Sequence, residues 1–506
     1  MKRLLLGITL ALMGSAAQAA GQTLASESLM IRNITVVSAD RPAPLPGVDV
    51  LIRDGRIVRI GAALSEHAEQ EIDGTGRYLT PGLIDSHVHV SHATGLRGRY
   101  TPDYESLYRE YLAQAPSSYL YFGYTTLIEL NAEAGGREAF EATSPHPTLL
   151  DCSQGIDLLD GFMAADLPPG RMAEHFPNYL YDPSTGAPLP EGVDPADHSP
   201  EAVVAKVVEA GGICVKLYYE QALWWQGDRP EFALPDVDIL RRIDKAANSA
   251  GLVTVLHATT PEGHTMGMRA GIDILAHGLW EWPDIAYMAP TVPAEVQRVL
   301  EEEARTGVSL QPTIQTLRNT ASMFDPAALQ DPRLSRVLPA RYLTYLRTAA
   351  QAQRDDFLAM FGDAFAAQPG ATRPGIMLEV AIGRYERQTA WLNRNGANLL
   401  FGTDTAVGGP GWGNPPGLNG LREMQDWARG GVPLKTIFEA ATLGNARAFG
   451  LDDQIGAVAP GLKADLLILG ANPLETLDAY DRVDTVILGG HAYDRQSFSA
   501  EEDNER

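Results

Sequence analysis

Six polar side chains stand near the C-terminal ends of short apolar segments, and their chemical types are those that bind metal ions in proteins. They are His87, His89, Lys216, His257, His277 and Asp404. The first two are separated by a single residue, and alternate residues of a strand point to the same side. Two neutral imidazoles on one face of a strand can bind one cation. The spacing therefore predicts a metal site.

Lys216 carries more information than any other member of this set. A histidine taken singly can be a satisfied core residue, and an aspartate at a strand end can cap a helix. Lys216 instead follows the apolar segment 213–215, and lysine is rarely buried without a partner. We therefore expect its amine to be neutralised or chemically altered.

Between residues 81 and 450, apolar β-rich runs alternate with helical stretches, which is typical of βα units around a parallel sheet. The predicted strands are 83–90, 124–130, 148–152, 213–216, 253–257, 272–277, 309–314 and 399–404, and the clearest helices are 200–210, 236–250, 294–306, 336–366 and 420–430. Eight such strands predict an α/β fold, a (β/α)8 TIM-like barrel, whose strand ends converge on one face. The barrel would bring the six polar residues together.

Short strands and turns occupy both ends of the remaining chain, and we expect them to pair into one small β-sandwich. The predicted domains are an export signal at 1–20, a composite β-sandwich from 21–80 and 451–498, and the barrel at 81–450. Two connections, 155–200 and 315–398, are long. They could cover the active face or form a packing or oligomer surface, and the sequence favours neither.

The first 20 residues have the order of an export signal. Lys2 and Arg3 precede an apolar stretch at 4–13 and small residues at 17–19, and this stretch is shorter than the roughly 20 residues that span a bilayer. We therefore expect a periplasmic or secreted protein with no membrane attachment after cleavage. The net charge of −24, which becomes −26 without Lys2 and Arg3, argues against nucleic acid as a partner. The oligomeric state stays open, with a homo-oligomer among the alternatives.

Cys152 and Cys214 fall in consecutive predicted strands. Cys214 shares its facing with Lys216 and should point into the barrel. We expect two free buried thiols, with a disulfide as the alternative.

Residues 79–89, with the sequence LTPGLIDSHVH, resemble the opening strand of the metal-dependent amidohydrolase superfamily. Later motifs of that superfamily follow in the same order at 215–216, 256–258, 276–278, 402–404, 440–442, 444–447 and 456–466. The likeness covers about residues 28–490 and is closest in character to imidazolonepropionase-like proteins and prolidases.

The resemblance implies a site with two divalent metal ions, zinc being the first choice for imidazole ligands. His87, His89 and Asp404 would hold one ion, His257 and His277 the other, and Lys216, carboxylated by carbon dioxide, would bridge them. A metal-bridging hydroxide would attack an amide or peptide-like C–N bond, with Asp404 passing the proton to the leaving group. The implied substrate is a small molecule, such as a dipeptide or an N-acyl amino acid.

Aromatic and charged residues that follow the proposed ligands are candidates for the substrate pocket, and loop packing is the alternative for each of them. They are Tyr218, Tyr219, Trp224, Trp225, Trp280, Trp282, Trp412, His92, Arg97 and Arg99. The tryptophans favour a substrate with an apolar or aromatic part, and an arginine could pair with a substrate carboxylate.

Two other functions remain open. One is a mononuclear deaminase or cyclic-amide hydrolase of the same superfamily. Lys216 argues against it, and so does Glu262, which stands five residues after His257 rather than three. The other is a non-catalytic binding protein on the same barrel, although the chain retains all six candidate ligands.

Overall fold

The computed structural model describes residues 28–164, 167–168, 170–220, 232–280, 282, 291–366, 374–406 and 411–501. The predicted export signal and two candidate pocket residues, Trp224 and Trp225, lie outside this part of the chain. No helix within the described ranges is long and apolar enough to span a membrane.

The strands, in chain order, are β1 Ser28–Val36, β2 Leu45–Arg53, β3 Arg56–Gly61, β4 Gln70–Asp73, β5 Tyr78–Pro81, β6 Leu83–Val88, β7 Tyr124–Glu129, β8 Thr148–Asp151, β9 Cys214–Tyr218, β10 Val253–His257, β11 Ile274–Ala276, β12 Ser309–Gln311, β13 Asn398–Leu399, β14 Leu466–Leu469, β15 Val483–Leu488 and β16 His491–Asp494. The α-helices are α1 Tyr104–Tyr121, α2 Gly136–Glu141, α3 Met172–His175, α4 Pro200–Glu209, α5 Val237–Ser249, α6 Pro261–Ala270, α7 Ala294–Thr306, α8 Gln315–Ser322, α9 Leu334–Val337, α10 Ala340–Ala366, α11 Pro374–Arg394, α12 Leu418–Gly430, α13 Leu434–Glu439 and α14 Asn445–Ala448.

Both ends of the chain contribute to one eight-stranded sheet. Its order is β16-β15-β14-β5-β1-β2-β3, and β4 pairs with β1. The turn between β2 and β3 places Asp54 and Gly55 at φ values of 49° and 72°, which an Asp-Gly pair favours. The composite origin agrees with the sequence prediction. The described strands nevertheless hydrogen-bond as one sheet rather than two, because β1 pairs with β2 along one edge and with β4 and then β5 along the other.

The strands β6 to β13 are parallel and form two hydrogen-bonded sheets, β6-β7-β8 and β13-β12-β11-β10-β9. Backbone hydrogen bonds and parallel bridges join these sheets at both edges. At one edge Ile156 N donates to Lys216 O (2.8 Å), and at the other Asp404 N donates to His87 O (2.7 Å). The pairing therefore runs through all eight strands and returns to the first, in agreement with the predicted (β/α)8 barrel.

Two apolar layers flank the barrel strands. The inner layer contains Ile128, Val255, Ile274, Leu400 and Phe449, and the outer layer lies between the strands and the helices. Helix α4 contacts α5, and the contacts continue in turn to α6, α7, α11 and α12. The five helices predicted from the sequence correspond to α4, α5, α7, α10 and α12.

The two long connections differ in character. The second, 315–398, is mostly helical, and its helix α11 completes the outer layer between α7 and α12. The first, 155–200, contains α3 and short 3-10 helices in the residues that the structure describes, one of them Phe162–Ala164, and is folded back on itself by a bridge between Leu158 and Leu180. It follows β8 and therefore lies at the C-terminal face of the barrel.

Cys152 and Cys214 form a disulfide, so the expectation of free thiols is wrong. Cys214 faces the barrel interior as predicted, where it packs with Val255 and Ile274. Cys152 directly follows β8 and also belongs to this inner layer. Because β8 and β9 are neighbours around the barrel, the two Cα atoms are only 4.5 Å apart, within the range that a disulfide requires.

We predict that denatured, unreduced protein contains no free thiol and that reduction releases two. Replacing both cysteines by alanine should lower the free energy of unfolding by about 2–4 kcal/mol, because the link joins positions 62 residues apart. Thiol titration and denaturant unfolding measure these quantities. Two titratable thiols in the denatured, unreduced protein would contradict the disulfide.

Candidate active site

His87, His89 and Asp404 form the first group of potential ligands. His87 lies in β6, His89 directly follows it, and Asp404 lies beyond β13 on the neighbouring part of the barrel. Asp404 Oδ1 is 3.2 Å from His87 Nε2 and 3.1 Å from His89 Nε2. One ligand atom from each residue lies within 4.8 Å of those of the other two. These three residues could hold one metal ion.

His257 and His277 form the second group. His257 ends β10 and His277 follows β11, and its Nε2 lies 3.0 Å from His257 Nδ1. The other ring nitrogen of His277 bonds Thr313 Oγ1 at 2.7 Å. The rings of His87 and His277 are 5.1 Å apart between centroids, so the two groups share one cavity at the strand ends.

Lys216 is buried in the same cavity, with 1% of its surface exposed. Its Nζ lies 5.6 Å from the centre of the Tyr218 ring. Burial lowers the pKa of Lys216 to about 8, while the negative charges of Asp404 and Glu129 act in the opposite direction. A substantial fraction of this amine is therefore neutral near pH 8, in line with the sequence expectation.

Burial and neighbouring charges shift the pKa values of His87, His89 and Asp404 in different directions. Burial and the Lys216 amine lower the pKa of His87 to about 3. Burial also acts to lower the pKa of His89, but Glu129 and Asp404 overcome it and raise that pKa to about 10. Although burial acts to raise it, His87 and His89 hold the pKa of Asp404 well below its usual range. The carboxylates of Glu129 and Asp404 thus contact the two ring nitrogens of His89 and favour positive charge at this ring.

The backbone is strained at three residues of the site. His277, Thr313 and Asp404 have φ values of 77°, 50° and 58°, in the left-handed region that side chains other than glycine rarely adopt. Each such residue costs about 1–3 kcal/mol, and residues of this kind cluster at functional sites. The surrounding hydrogen bonds must supply the energy that holds these ligands in position.

Glu129 is a site residue that the sequence interpretation missed. It ends β7, is buried, and accepts hydrogen bonds from Val90 N and Asn131 N. Its Oε1 is 2.9 Å from His89 Nδ1, so it fixes the orientation of the ring and leaves Nε2 towards Asp404. A charged residue at the end of the apolar run 124–130 was the signal that could have identified it.

A network of buried polar side chains supports the site from below. Asp85 accepts bonds from Thr403 N and Thr403 Oγ1, and burial raises its pKa to about 7. Asn445 Nδ2 donates to Ile84 O (2.9 Å) and Phe401 O (2.7 Å). These bonds tie β6 to the segment that ends in Asp404, so the first and last barrel strands are fixed relative to each other.

The candidate pocket residues separate into two sets. The Tyr218 ring lies 5.4 Å from His257 and the Trp280 ring 4.6 Å from His277, so both border the site. Tyr219 belongs to the outer layer, where its hydroxyl donates to Glu262, because alternate residues of β9 face opposite sides. Its side chain therefore faces away from Lys216 and Tyr218, while its backbone N donates to His257 O at 2.9 Å.

The remaining candidates lie around the site rather than in it. His92 forms hydrogen bonds with Ala406 O and Glu133, and the centroid of its ring is 5.6 Å from that of the His89 ring. The other positions are as follows: Arg97 lies against Tyr345, Arg99 pairs with Asp356, Trp282 stacks under Arg384, and Trp412 is buried beside Ser322.

A second residue that sequence reasoning missed is Phe162, in the connection after β8. Its ring stacks on His257 with centroids 4.9 Å apart and on Tyr218 with centroids 5.9 Å apart. No local pattern in the proline-rich segment 155–200 indicated this contact, since it depends on how the connection folds back over the barrel.

The side-chain atoms that converge in the site are suitable ligands for divalent metal ions. Imidazole nitrogens and a carboxylate oxygen are ordinary zinc ligands. His257 Nε2 is buried, makes no hydrogen bond within the residues that the structure describes, and has only an ion-pair contact of 3.4 Å with the buried Glu220 Oε2. A buried polar atom left unpaired is costly, and coordination to a cation would satisfy it.

Comparisons with known proteins agree with this geometry. Residues 381–493 match the model of the "Amidohydrolase family". A D-hydantoinase from Ralstonia pickettii is 31% identical over 129 residues, which are 26% of this chain and 25% of that protein. The chain thus spans about a quarter of the length of this curated relative.

Two solved structures have the same fold over nearly the whole chain. Molinate hydrolase matches with a TM-score of 0.62 and 18% identity, covering 93% of this chain and 96% of its own. A Xaa-Pro dipeptidase matches with a TM-score of 0.59 and 18% identity, covering 92% and 100%.

We predict that Glu129→Gln weakens metal binding by about 10- to 100-fold, because glutamine has no negative charge and replaces one of the two acceptor oxygens by an NH2 donor, so it cannot accept from His89, Val90 N and Asn131 N together. Metal content after dialysis against graded chelator concentrations measures the effect, and the melting temperature reports on folding. The matched control is Glu138→Gln, at an exposed position of α2. Unchanged metal retention in a well-folded Glu129→Gln protein would refute this role.

Proposed function

We propose that this protein is a metal-dependent hydrolase of the amidohydrolase superfamily that cleaves an amide or peptide-like C–N bond of a small molecule, and the match of residues 381–493 to the amidohydrolase family supports this proposal. The observation that carries the proposal is the convergence of four histidines, Lys216 and Asp404 from different barrel strands on one buried cavity. Relatives with the names hydantoinase and dipeptidase support C–N chemistry.

The residues that would hold two divalent ions are His87, His89 and Asp404 for one and His257 and His277 for the other. Zinc is the first choice for a set rich in imidazole. Bound ions of this kind acidify a water molecule and polarise the scissile carbonyl.

Lys216 would join the two groups as a carbamate. Its neutral amine adds to carbon dioxide, a C–N bond forms, one proton is released, and the side chain becomes an anion. Burial lowers the pKa of Lys216 to about 8, so the reactive neutral amine is available. An anion between cations also removes the cost of an isolated buried ammonium.

Asp404 is the proposed proton carrier. Its Oδ1 faces His87 and His89, and its Oδ2 accepts a hydrogen bond from Thr316 Oγ1 at 3.2 Å. A carboxylate fixed at both oxygens can take the proton of the attacking water and deliver it to the departing nitrogen. Phe162, Tyr218 and Trp280 border the site with aromatic surface, which supports a substrate with an apolar or aromatic part, such as an N-acyl amino acid or a dipeptide.

The position of Glu262 supports this proposal over a deaminase. Glu262 is an exposed residue in the first turn of α6 and accepts a hydrogen bond from Tyr219 OH at 3.3 Å. We further propose that the protein is exported to the periplasm or the medium. The Cys152–Cys214 disulfide supports export, since disulfides persist in oxidising compartments.

We predict that protein produced with zinc and bicarbonate binds about two metal equivalents per chain and hydrolyses members of a panel of N-acyl amino acids, dipeptides and aromatic amides. Lys216→Ala should lower both metal content and kcat/KM, the latter by about 100-fold or more, because a ligand matters at least as much as the residues that orient ligands. Elemental analysis and steady-state kinetics measure the two effects.

The matched control for this prediction is Lys245→Ala, an exposed lysine on α5, which should keep both properties. Full activity in Lys216→Ala would reject the proposal. Metal-free wild-type protein after such production would favour the non-catalytic alternative.

A further inference from the structure

Phe162 brings the long connection after β8 into contact with the ligands. The Phe162, Tyr218 and His257 rings form one cluster, with Phe162 inclined by 26° to His257 and by 29° to Tyr218. Phe162 is only partly buried, so part of its ring remains accessible beside the cavity. A substrate group bound on the His257 side of the site would therefore lie beside this ring.

A buried carboxylate holds Phe162 in this position. Asp157 is 2% exposed, and it accepts bonds from Leu158 N (2.8 Å) and from Met163 N (2.9 Å), the residue after Phe162. Gly161 N donates to Leu158 O (2.8 Å), which closes the turn. A side chain at Gly161 would overlap the Asp157 carboxyl, so only glycine fits there.

On the side away from His257, Phe162 packs against a second aromatic ring, next to a pocket whose lining also includes the polar residues Asp160 and Thr185. Phe232 meets the Phe162 ring edge-on, with centroids 5.7 Å apart and an angle of 86°. Beyond Phe232 lies an open pocket of about 510 Å³, which Leu159 and Pro188 also line. Edge-on and offset arrangements are those that aromatic groups prefer, and a pocket of this size accommodates a ring.

We propose that Phe162 is a specificity-determining residue, whose ring selects substrates that carry an aromatic group next to the scissile amide; this inference rests on the hydrolase function proposed above. The Asp157–Gly161 turn is the positioning device for the ring. Small acyl groups do not reach Phe162 and gain nothing from it.

The test compares the binding of two metal-binding probes, benzohydroxamate and acetohydroxamate, to metal-loaded protein. The two probes differ only in that the first carries a phenyl group where the second carries a methyl group. The preference for benzohydroxamate is measured as the Kd of acetohydroxamate divided by the Kd of benzohydroxamate. Phe162→Ala should reduce this ratio by about 10-fold. Metal content and the affinity for acetohydroxamate should not change. Phe162→Tyr should keep the wild-type ratio, and so should the control Phe324→Ala, a partly buried phenylalanine that packs on Phe357 instead.

Gly161→Ala provides an independent variant, because it displaces the turn while Phe162 remains in the chain. Gly161→Ala should also reduce the hydroxamate Kd ratio, as Phe162→Ala does. An unchanged ratio in Phe162→Ala overturns the inference. Because binding is measured without turnover, a wild-type protein that hydrolyses no amide would reject the proposed function alone, and the hydroxamate ratio would still decide the role of Phe162.

For turnover, the kcat/KM values for N-benzoyl and N-acetyl forms of one amino acid should show the same pattern. We expect the loss in Phe162→Ala to appear mainly in KM for the benzoyl substrate, since the ring contacts the substrate away from the reacting atoms. An equal loss for both substrates would indicate a merely structural role and contradict the inference.

Discussion

The burial of one amine among imidazoles is the constraint on which the site depends. Lys216 is almost fully enclosed and has three histidines around it that cannot neutralise its charge. As an ammonium it would repel metal ions from the cavity, whereas as a carbamate it would attract them. If the proposed carbamate forms, the chemical state of this single nitrogen would decide whether the cluster behaves as a set of core histidines or as a metal centre.

The second constraint is geometric. Asp404 and His277 are held with positive φ values, and strain of this kind persists only where the surroundings determine the backbone fully. Asn445 and Asp85 supply that support for Asp404, because they join the first barrel strand to the last at the level of the ligands. The 440–447 segment thus acts on the site although it contributes no ligand, which gives a physical reason for the motif that the sequence shows there.

Features that depend on residues close together in the sequence could be predicted, whereas contacts between distant segments could not. The barrel strands and five of the fourteen described α-helices follow from local patterns of apolar residues, and the structure places them within a few residues of the predicted bounds. His87, His89, Lys216, His257, His277 and Asp404 could be selected because each is a polar residue at the end of an apolar strand. Tyr219 stays a prediction for the pocket, although strand alternation from Lys216 places its side chain on the opposite face.

The sequence by itself determined the eight barrel strands and the polar side chains that stand at their ends, because these depend on the two-residue period of a strand and on local composition. Only the tertiary structure decided the pairing of Cys152 with Cys214, the bond from Glu129 to His89, and the stacking of Phe162 on His257. Each of these joins segments far apart in the chain. Such contacts arise from closure of the barrel and from the path of a loop over its face, and no local period encodes them.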